Sequence, residues 1–380
     1  MKIAMSSFRF NLTGGIERSS YEVARGLVAD GHDVTLVASD VTPSPVGMHW
    51  QYVRAPIGPS WSVPVTYPRA ASRALRPGDF DVVHNQGGCA LLEQDVITAH
   101  SCHRAWWEMK RRNGEIARAY LNPLHHAVLW TEGRNYRPGA YRHVIAVSHG
   151  VGREVRDHYG VPEDRITVVP NGVDLDAFAR SDSEEARART RARYGFGSDD
   201  VAVLFVGKEF RRKGLAPLVA ALPSLPPEAR LLVVGGDDQV PYRRLAQEHG
   251  VGDRVVFVGH TDAVQDCFAA ADVFALPTLY EAFALVSLEA AAAGLPLVTT
   301  KVNGTEDFVR PGANGMLVER DPASLASALT PLVADRHLRR RLGEQARVDV
   351  LDYSWTAVAR RTAEVYAHVA EEKRAEQGRR

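Results

Sequence analysis

Cysteine is scarce in this 380-residue chain: Cys89, Cys102 and Cys267 are the whole supply, odd in number and without metal-ligand spacing. A disulfide framework and a zinc site are thereby disfavoured, and a reducing compartment is the expectation. Net charge is missing too. Lys plus Arg and Asp plus Glu stand at 46 each, so no overall field draws the protein to nucleic acid or to an anionic membrane. No apolar run reaches the roughly 20 residues of a membrane span, and the start, MKIAMSSFRF, has no apolar stretch of signal-peptide length. A cytoplasmic location follows as an expectation. Also absent are G-x-G-x-x-G, a Walker lysine loop, an H-E-x-x-H helix and any Ser-His-Asp order, which takes support from dinucleotide-binding, nucleoside-triphosphatase and common hydrolase readings. There is no internal repeat and no low-complexity segment.

What the chain does contain is alternation. Short β-rich runs alternate with helical patterns from end to end, the mark of α/β layering with mostly parallel sheets. The first half offers strands at 2 to 5, 33 to 39, 80 to 84, 95 to 100, 143 to 148 and 166 to 170. The second offers them at 201 to 207, 230 to 236, 254 to 259, 272 to 277 and 295 to 300. Their near-continuous apolar character suits strands buried on both faces. Between the two sets lies PNGVDLDAFARSDSEEARARTRARYGFGSDD, which opens on a turn signal, carries charge and closes on a Gly/Ser/Asp cluster. The domain boundary is therefore expected just after residue 172, giving domains 1 to 172 and 173 to 354. Val358, Thr362, Val365 and Val369 stand at helical spacing, so residues 355 to 374 should form a helix that packs back on the first domain.

Chemistry is expected where loops follow strands, because open α/β sheets bind ligands outside the carboxyl ends of their strands. Gly14-Gly15 opens a helix after the first strand, where a glycine lets backbone N–H groups approach an anion; a plain tight turn is the competing reading. Lys208, Arg211, Arg212 and Lys213 crowd the end of the strand at 201, and two lysines five apart across a loop converge readily on a diphosphate. Glu281 and Glu289, eight positions apart in TLYEAFALVSLEAAAAGLPLV, flank a predicted helix start near Ala284 and Leu285 that supplies N–H donors. A carboxylate accepts two hydrogen bonds at once, so sugar hydroxyls suit either glutamate. His84 and His100 close two first-domain strands. The basic, aromatic segment around Trp106 and Trp107 is read as a helix with a buried aromatic face and a solvated basic one, with acceptor-side or membrane contact as the less favoured alternatives.

Taken together, GGIERSSYEVARGLVADGHDVTLVAS, VIAVSHGVGREVRDHYGVPEDRITVVPNGVD, VGKEFRRKG, the stretch from VVFVGHTDAVQDC to GLPLVTT, and ANGMLV resemble, in order and over almost the whole chain, the family-four retaining, nucleotide-sugar-dependent glycosyltransferases of the GT-B fold. The resemblance implies two Rossmann-like domains facing each other across a cleft, with acceptor bound to the first and donor to the second. Transfer of a hexosyl group from a nucleoside diphosphate sugar, expected to be a UDP-sugar, to an acceptor hydroxyl would keep the anomeric configuration, without a cofactor or a metal. It further implies that Glu281 holds the transferred sugar and Glu289 the ribose. Lys213 and Lys208 would bind the diphosphate with help from Arg212, Gly15 would lie in the loop that closes on it, and His100 would stand near the reacting sugar. Two departures stand out: Lys208 replaces the usual arginine, and EAFA replaces EGFG, placing methyl groups at Ala282 and Ala284. Small-molecule, lipid-linked and saccharide acceptors all remain open. An epimerase or phosphorylase on the same fold, or a non-catalytic sugar-nucleotide binder, are the alternatives.

Overall fold

The computed structural model describes residues 1–54, 63–76, 78–87, 91, 93–114, 120–179 and 184–379. Two compact units divide the chain: Met1–Gly172 with Trp355–Arg380, and Val173–Ser354. The first contains β1 (Lys2–Ser6), β2 (Arg9–Phe10), β3 (Asp33–Ala38), β4 (Asp40–Val41), β5 (His49–Tyr52), β6 (Val82–Asn85), β7 (Val96–Ala99), β8 (His143–Ala146) and β9 (Ile166–Val168). Seven of these form a parallel sheet ordered β5-β3-β1-β6-β7-β8-β9, while β2 and β4 pair separately. The second unit holds β10 (Val201–Val206), β11 (Ala229–Val234), β12 (Val255–Gly259), β13 (Val273–Leu276), β14 (Leu297–Thr300) and β15 (Gly315–Val318) in a parallel sheet ordered β12-β11-β10-β13-β14-β15.

Both sheets are Rossmann-like, and their strand orders locate the chemistry. In each, the chain winds outward from the unit's first strand in one direction and then crosses back to wind in the other. The order reverses between β1 and β6 in the first unit and between β10 and β13 in the second. At such a reversal the loops leaving the two neighbouring strands splay apart and open a crevice. Two edge strands stand outside the sequence expectation. β5 is HWQY and largely exposed, since an edge strand is covered less than a central one, whereas β15, GMLV, is apolar and half-buried.

The C-terminal helix, Trp355–Gln377, belongs to the first unit, where Val358, Ala359, Thr362, Val365, Tyr366, Val369 and Ala370 are buried. It passes so close to the helix Gly15–Ala29 that a Cβ on Gly26 would lie 2.4 Å from that of Ala359. Lys373 reaches Asp95 at 2.8 Å, Arg165 reaches Glu372 at 3.0 Å, and Arg142 pairs with both oxygens of Glu376 at 2.9 Å. Partly exposed pairs of this kind contribute about 0 to 1 kcal/mol each, against about 1.5 to 3 for each fully buried large apolar side chain, so packing decides the docking and charge fixes its register. Gly26→Ala is expected to destabilise the protein by about 1 to 3 kcal/mol, read as a lower thermal midpoint; an unchanged midpoint would mean that the two helices can part without cost.

Candidate active site

The reversal between β10 and β13 brings one cluster together. After β10 the chain passes Gly207, exposed Lys208 and Glu209 into a single helical turn, Phe210–Lys213. Glu209 is the one described non-glycine residue with positive φ, 57°, a conformation that costs an L-residue about 1 to 2 kcal/mol. The turn is anchored by the Phe210 N–H, which donates to Asp237 Oδ2 at 2.7 Å, and it ends at Gly214, where φ is 85° and a Cβ would lie 2.0 Å from the Pro277 carbonyl oxygen. After β13 the loop 277 to 284 lies against this turn. The Leu279 N–H donates to the Arg212 carbonyl at 2.9 Å, and the Arg212 guanidinium donates back to the Tyr280 carbonyl.

Glu281 sits at the centre, and its two oxygens differ. Oε1 receives Arg212 Nη1 at 2.8 Å and Lys213 Nζ at 2.9 Å, with the Thr278 hydroxyl 3.3 Å away and shared with the Tyr280 carbonyl at 3.2 Å; Oε2 receives none of these. Burial by itself raises the pKa of this carboxyl, but Lys213 and then Arg212 outweigh burial and hold it below the ordinary carboxylate range. Glu281 is therefore ionised, with one oxygen committed to Arg212 and Lys213. Lys213 reaches it by lying over Gly207, where a Cβ would come within 2.3 Å of the lysine Cδ.

Several predicted residues take a different place. Arg212, expected to help bind diphosphate, uses Nε on Glu209 at 2.9 Å and Nη1 on Glu281 and Tyr280, so three of its five N–H donors are spent within the protein. It is a strut for Glu281 first. The helix after the loop, Leu285–Ala292, begins as expected with Ala284 as its N-cap, but the Leu285 N–H, expected as an open donor, turns back to the Phe283 carbonyl at 3.1 Å. Glu289 is half-buried in the second turn of that helix, whose Ala290, Ala291 and Ala292 are buried. Thr278 and Glu209 were not singled out from sequence, since a lone threonine and a glutamate in a basic run carry no motif.

In the first unit, Gly15 opens the helix Gly15–Ala29 and is exposed, and the Glu17 carboxylate folds over its neighbour Gly14. That glutamate already places an anion at the helix N-terminus, where the macrodipole favours one. His100 follows β7 directly. His84, expected on the acceptor side, is 1% exposed: its Nδ1 meets the Tyr366 hydroxyl and its Nε2 lies 2.8 Å from Thr98 Oγ1, so it is a buried member of the unit and not a contact for an acceptor. Gln86, also missed from sequence, joins the two histidines, with Nε2 3.0 Å from His84 Nδ1 and Oε1 3.2 Å from His100 Nε2.

The aromatic segment departs from its sequence reading as well. No residue of the helix His103–Arg112 is buried. Its rings pair instead with those of a neighbouring helix, Pro123–Asn135: Trp106 lies 4.9 Å from His125 and Trp107 5.5 Å from His126, while Lys110 sits 5.4 Å over Trp106. Glu132 of that second helix caps the first by accepting from the N–H groups of His103 and Arg104 at 2.6 and 3.2 Å. Part of the connecting segment, residues 115–119, lies outside the described residues, as does Cys89. The two described cysteines, Cys102 and Cys267, are free and buried. Among the described residues no helix is long and apolar enough to cross a membrane.

Two sequence families match the chain in tandem. The pattern described as Glycosyltransferase Family 4 covers residues 13–177, and that described as Glycosyl transferases group 1 covers residues 186–349. A D-inositol 3-phosphate glycosyltransferase from Xylanimonas cellulosilytica is 34% identical over 313 residues, 78% of this chain and 74% of the relative. The chain belongs to this glycosyltransferase family. Among solved structures, the glycosyltransferase fits WaaG, a glycosyltransferase involved in lipopolysaccharide biosynthesis, with a TM-score of 0.79 at 22% identity over 96% of this chain and 99% of that one. Anabaena HepE in complex with UDP-glucose fits with a TM-score of 0.74 at 17% identity, over 97% and 100%. These likenesses give the glycosyltransferase the GT-B fold, two Rossmann-like domains.

The buried histidines make stability depend on acid. Burial, and to a smaller extent His100, pushes His84 down to about 3, and burial pushes His100 down to about 4, from an ordinary 6.5. Between pH 6.5 and about 4 the unfolded chain therefore takes up protons that the folded unit refuses, so stability falls with falling pH by up to about 1.4 kcal/mol per unit for each histidine. A pH series of denaturant melts should show this slope, and His84→Gln should reduce it below pH 6.5; an equal slope in the variant would place the proton uptake elsewhere.

Proposed function

We propose that this glycosyltransferase moves a hexosyl group from a UDP-sugar to an acceptor hydroxyl with retention of anomeric configuration. The observation that carries the proposal is the divided carboxylate of Glu281. Oε1 is held by Lys213 and Arg212, Oε2 is left over, and the whole stands at the strand-order reversal of the second unit. A carboxylate fixed in this way accepts from a sugar hydroxyl without having to reorganise. In this reading Glu289 accepts from the ribose hydroxyls. Lys213 and exposed Lys208 stabilise the charge that grows on the departing diphosphate, the largest electrostatic change in the reaction, and no step is assigned to a metal. His100 stands beside the reacting sugar, and Gly15 in the loop that meets the diphosphate.

A solved structure of the same fold, holding UDP-glucose, supports a uridine donor, and the motifs' resemblance to the family-four retaining enzymes supports retention. The acceptor is less constrained. A relative named as a D-inositol 3-phosphate glycosyltransferase makes a cyclitol phosphate the first acceptor to try, beside saccharides and lipid-linked sugars.

Two measurements test the reading. UDP at one to ten times its dissociation constant should stabilise the protein by about 0.4 to 1.4 kcal/mol in a thermal-shift assay, and Glu289→Ala should lose that response; no response from the unaltered protein to UDP or any other nucleoside diphosphate removes the donor site. Lys213→Ala should lower kcat for transfer from UDP-glucose by about 100-fold or more while the protein stays folded, and an unaffected rate removes the diphosphate role.

A further inference from the structure

Tyr366, His84, Gln86 and His100 form one line of hydrogen bonds that starts on the C-terminal helix and ends at the mouth of β7. Three of the four are sealed: Tyr366 is 0%, His84 1% and Gln86 3% exposed. Both histidines are neutral near pH 7, because burial pushes their pKa values well below that pH, so each ring carries a single proton. His84 Nδ1 meets the Tyr366 hydroxyl and lies 3.0 Å from the Gln86 amide nitrogen, which can only donate, while its Nε2 faces Thr98 Oγ1 at 2.8 Å. Nδ1 is thus the accepting nitrogen and Nε2 carries the proton. With its NH2 group turned to His84, Gln86 turns Oε1 to His100 Nε2 at 3.2 Å. Ser20 Oγ also touches that oxygen, at 3.1 Å, but it lies closer to the Ile16 carbonyl, at 2.8 Å, and has one proton for the two. The proton that Gln86 Oε1 receives is the one on His100 Nε2.

We propose that Gln86, held by His84 and Tyr366, is a positioning residue that fixes His100 as the Nε2-protonated tautomer, so that His100 Nδ1 is always an acceptor. Nδ1 is buried and has no partner among the described residues. His100 lines a small cavity of about 20 Å³, room for one water, together with His84, Gln86, Thr98, Asn171 and Thr362. An acceptor in such a place needs a donor, from a water or from a hydroxyl of a bound ligand. The C-terminal helix thereby contributes to the site: a hydroxyl at position 366 sets the proton on a ring at position 100. The importance of this for transfer rests on the proposed place of His100 beside the reacting sugar; the tautomer itself does not.

The test uses ¹⁵N-histidine-labelled, ligand-free protein at neutral pH. Long-range proton–nitrogen spectra, with His100→Ala identifying the signal, should show His100 protonated at Nε2 alone. Gln86→Leu should convert that signal to a tautomer mixture, and Gln86→Glu, which keeps an acceptor towards His100, should restore it. Tyr366→Phe should shift the His84 signals in a folded protein. A His100 protonated at Nδ1 in the unaltered protein overturns the proposal, as does a His100 signal unmoved by Gln86→Leu. Should Gln86→Leu fail to fold, an unmoved His84 signal in Tyr366→Phe overturns it instead. In transfer from UDP-glucose, Gln86→Leu should lower kcat about tenfold or more with a smaller change in KM, since a wrong tautomer misplaces a hydrogen bond and leaves binding groups intact. If the spectra behave as expected and His100→Ala still transfers normally, the catalytic reading of His100 fails while the tautomer assignment stands.

Discussion

A carboxylate taken out of water at the end of a parallel strand has to be neutralised, and much of the second unit's site answers that requirement. Removing an ion from solvent costs several kcal/mol even after relaxation, more than the 1 to 2 kcal/mol of a residue in the left-handed region. Neutralising the ion therefore takes precedence over relaxing the backbone. Glu281 requires Arg212 and Lys213 beside it, and those two residues lie in one turn that opens at Glu209, whose φ is 57°. Glu209 in turn takes the Arg212 Nε, so the strained residue is also the second anchor of the strut. The loop after β13 is held from its other side by Thr300, whose hydroxyl donates to the Thr278 carbonyl, and β14 thereby fixes the carboxylate through one intermediate residue.

The first unit solves a different problem with neutral groups. His84, Gln86, Thr98 and Tyr366 fill the space between the sheet and the C-terminal helix with polar atoms that satisfy one another. Such a network is worthwhile only when complete, because an unmet polar atom away from water costs about 1 to 3 kcal/mol. Its open end is at His100. A network that closes on itself everywhere except at one acceptor is an arrangement that a ligand can finish, whereas an apolar filling would have offered the ligand nothing to bind.

The sequence was most legible where local pattern and global fold agree. Buried parallel strands such as VAVLFV and VFAL announce themselves by apolar content alone, and the lysine and glutamate loops could be placed because they follow those strands. The edge strand HWQY could not, since its exposed, polar residues carry no apolar signature. The site was legible as a set of residues and much less as a set of roles. That Lys213, Arg212 and Glu281 converge could be guessed from two loops at one sheet edge. That Arg212 serves Glu281, that Leu285 closes on Phe283, and that His84 faces Tyr366 across 282 positions depend on side-chain directions that no spacing records. The Trp106 and Trp107 reading held only in part, since the rings meet a neighbouring helix without being buried: helical periodicity says which residues share a face, and does not say how fully another element covers it.

The path of the chain carries a consequence for how the protein is made. The second unit is inserted into the first, leaving after Gly172 and returning at Trp355, with Gly172 against the Trp355 ring and Val173 bridged to Ser354. A chain emerging from the ribosome therefore completes residues 173–354 before the first unit has its last helix. Until then the faces of the sheet and of the helix Gly15–Ala29 that await Val358, Val365, Tyr366 and Val369 stand uncovered, which exposes apolar surface to aggregation at the stage when domains fold as units during synthesis. Loss of the last turns of the C-terminal helix would leave the Glu281 cluster formed and strip His84 of its Tyr366 partner. Truncation would then produce a protein whose second unit is complete while the half built from the first residues to be synthesised is the half left unfinished.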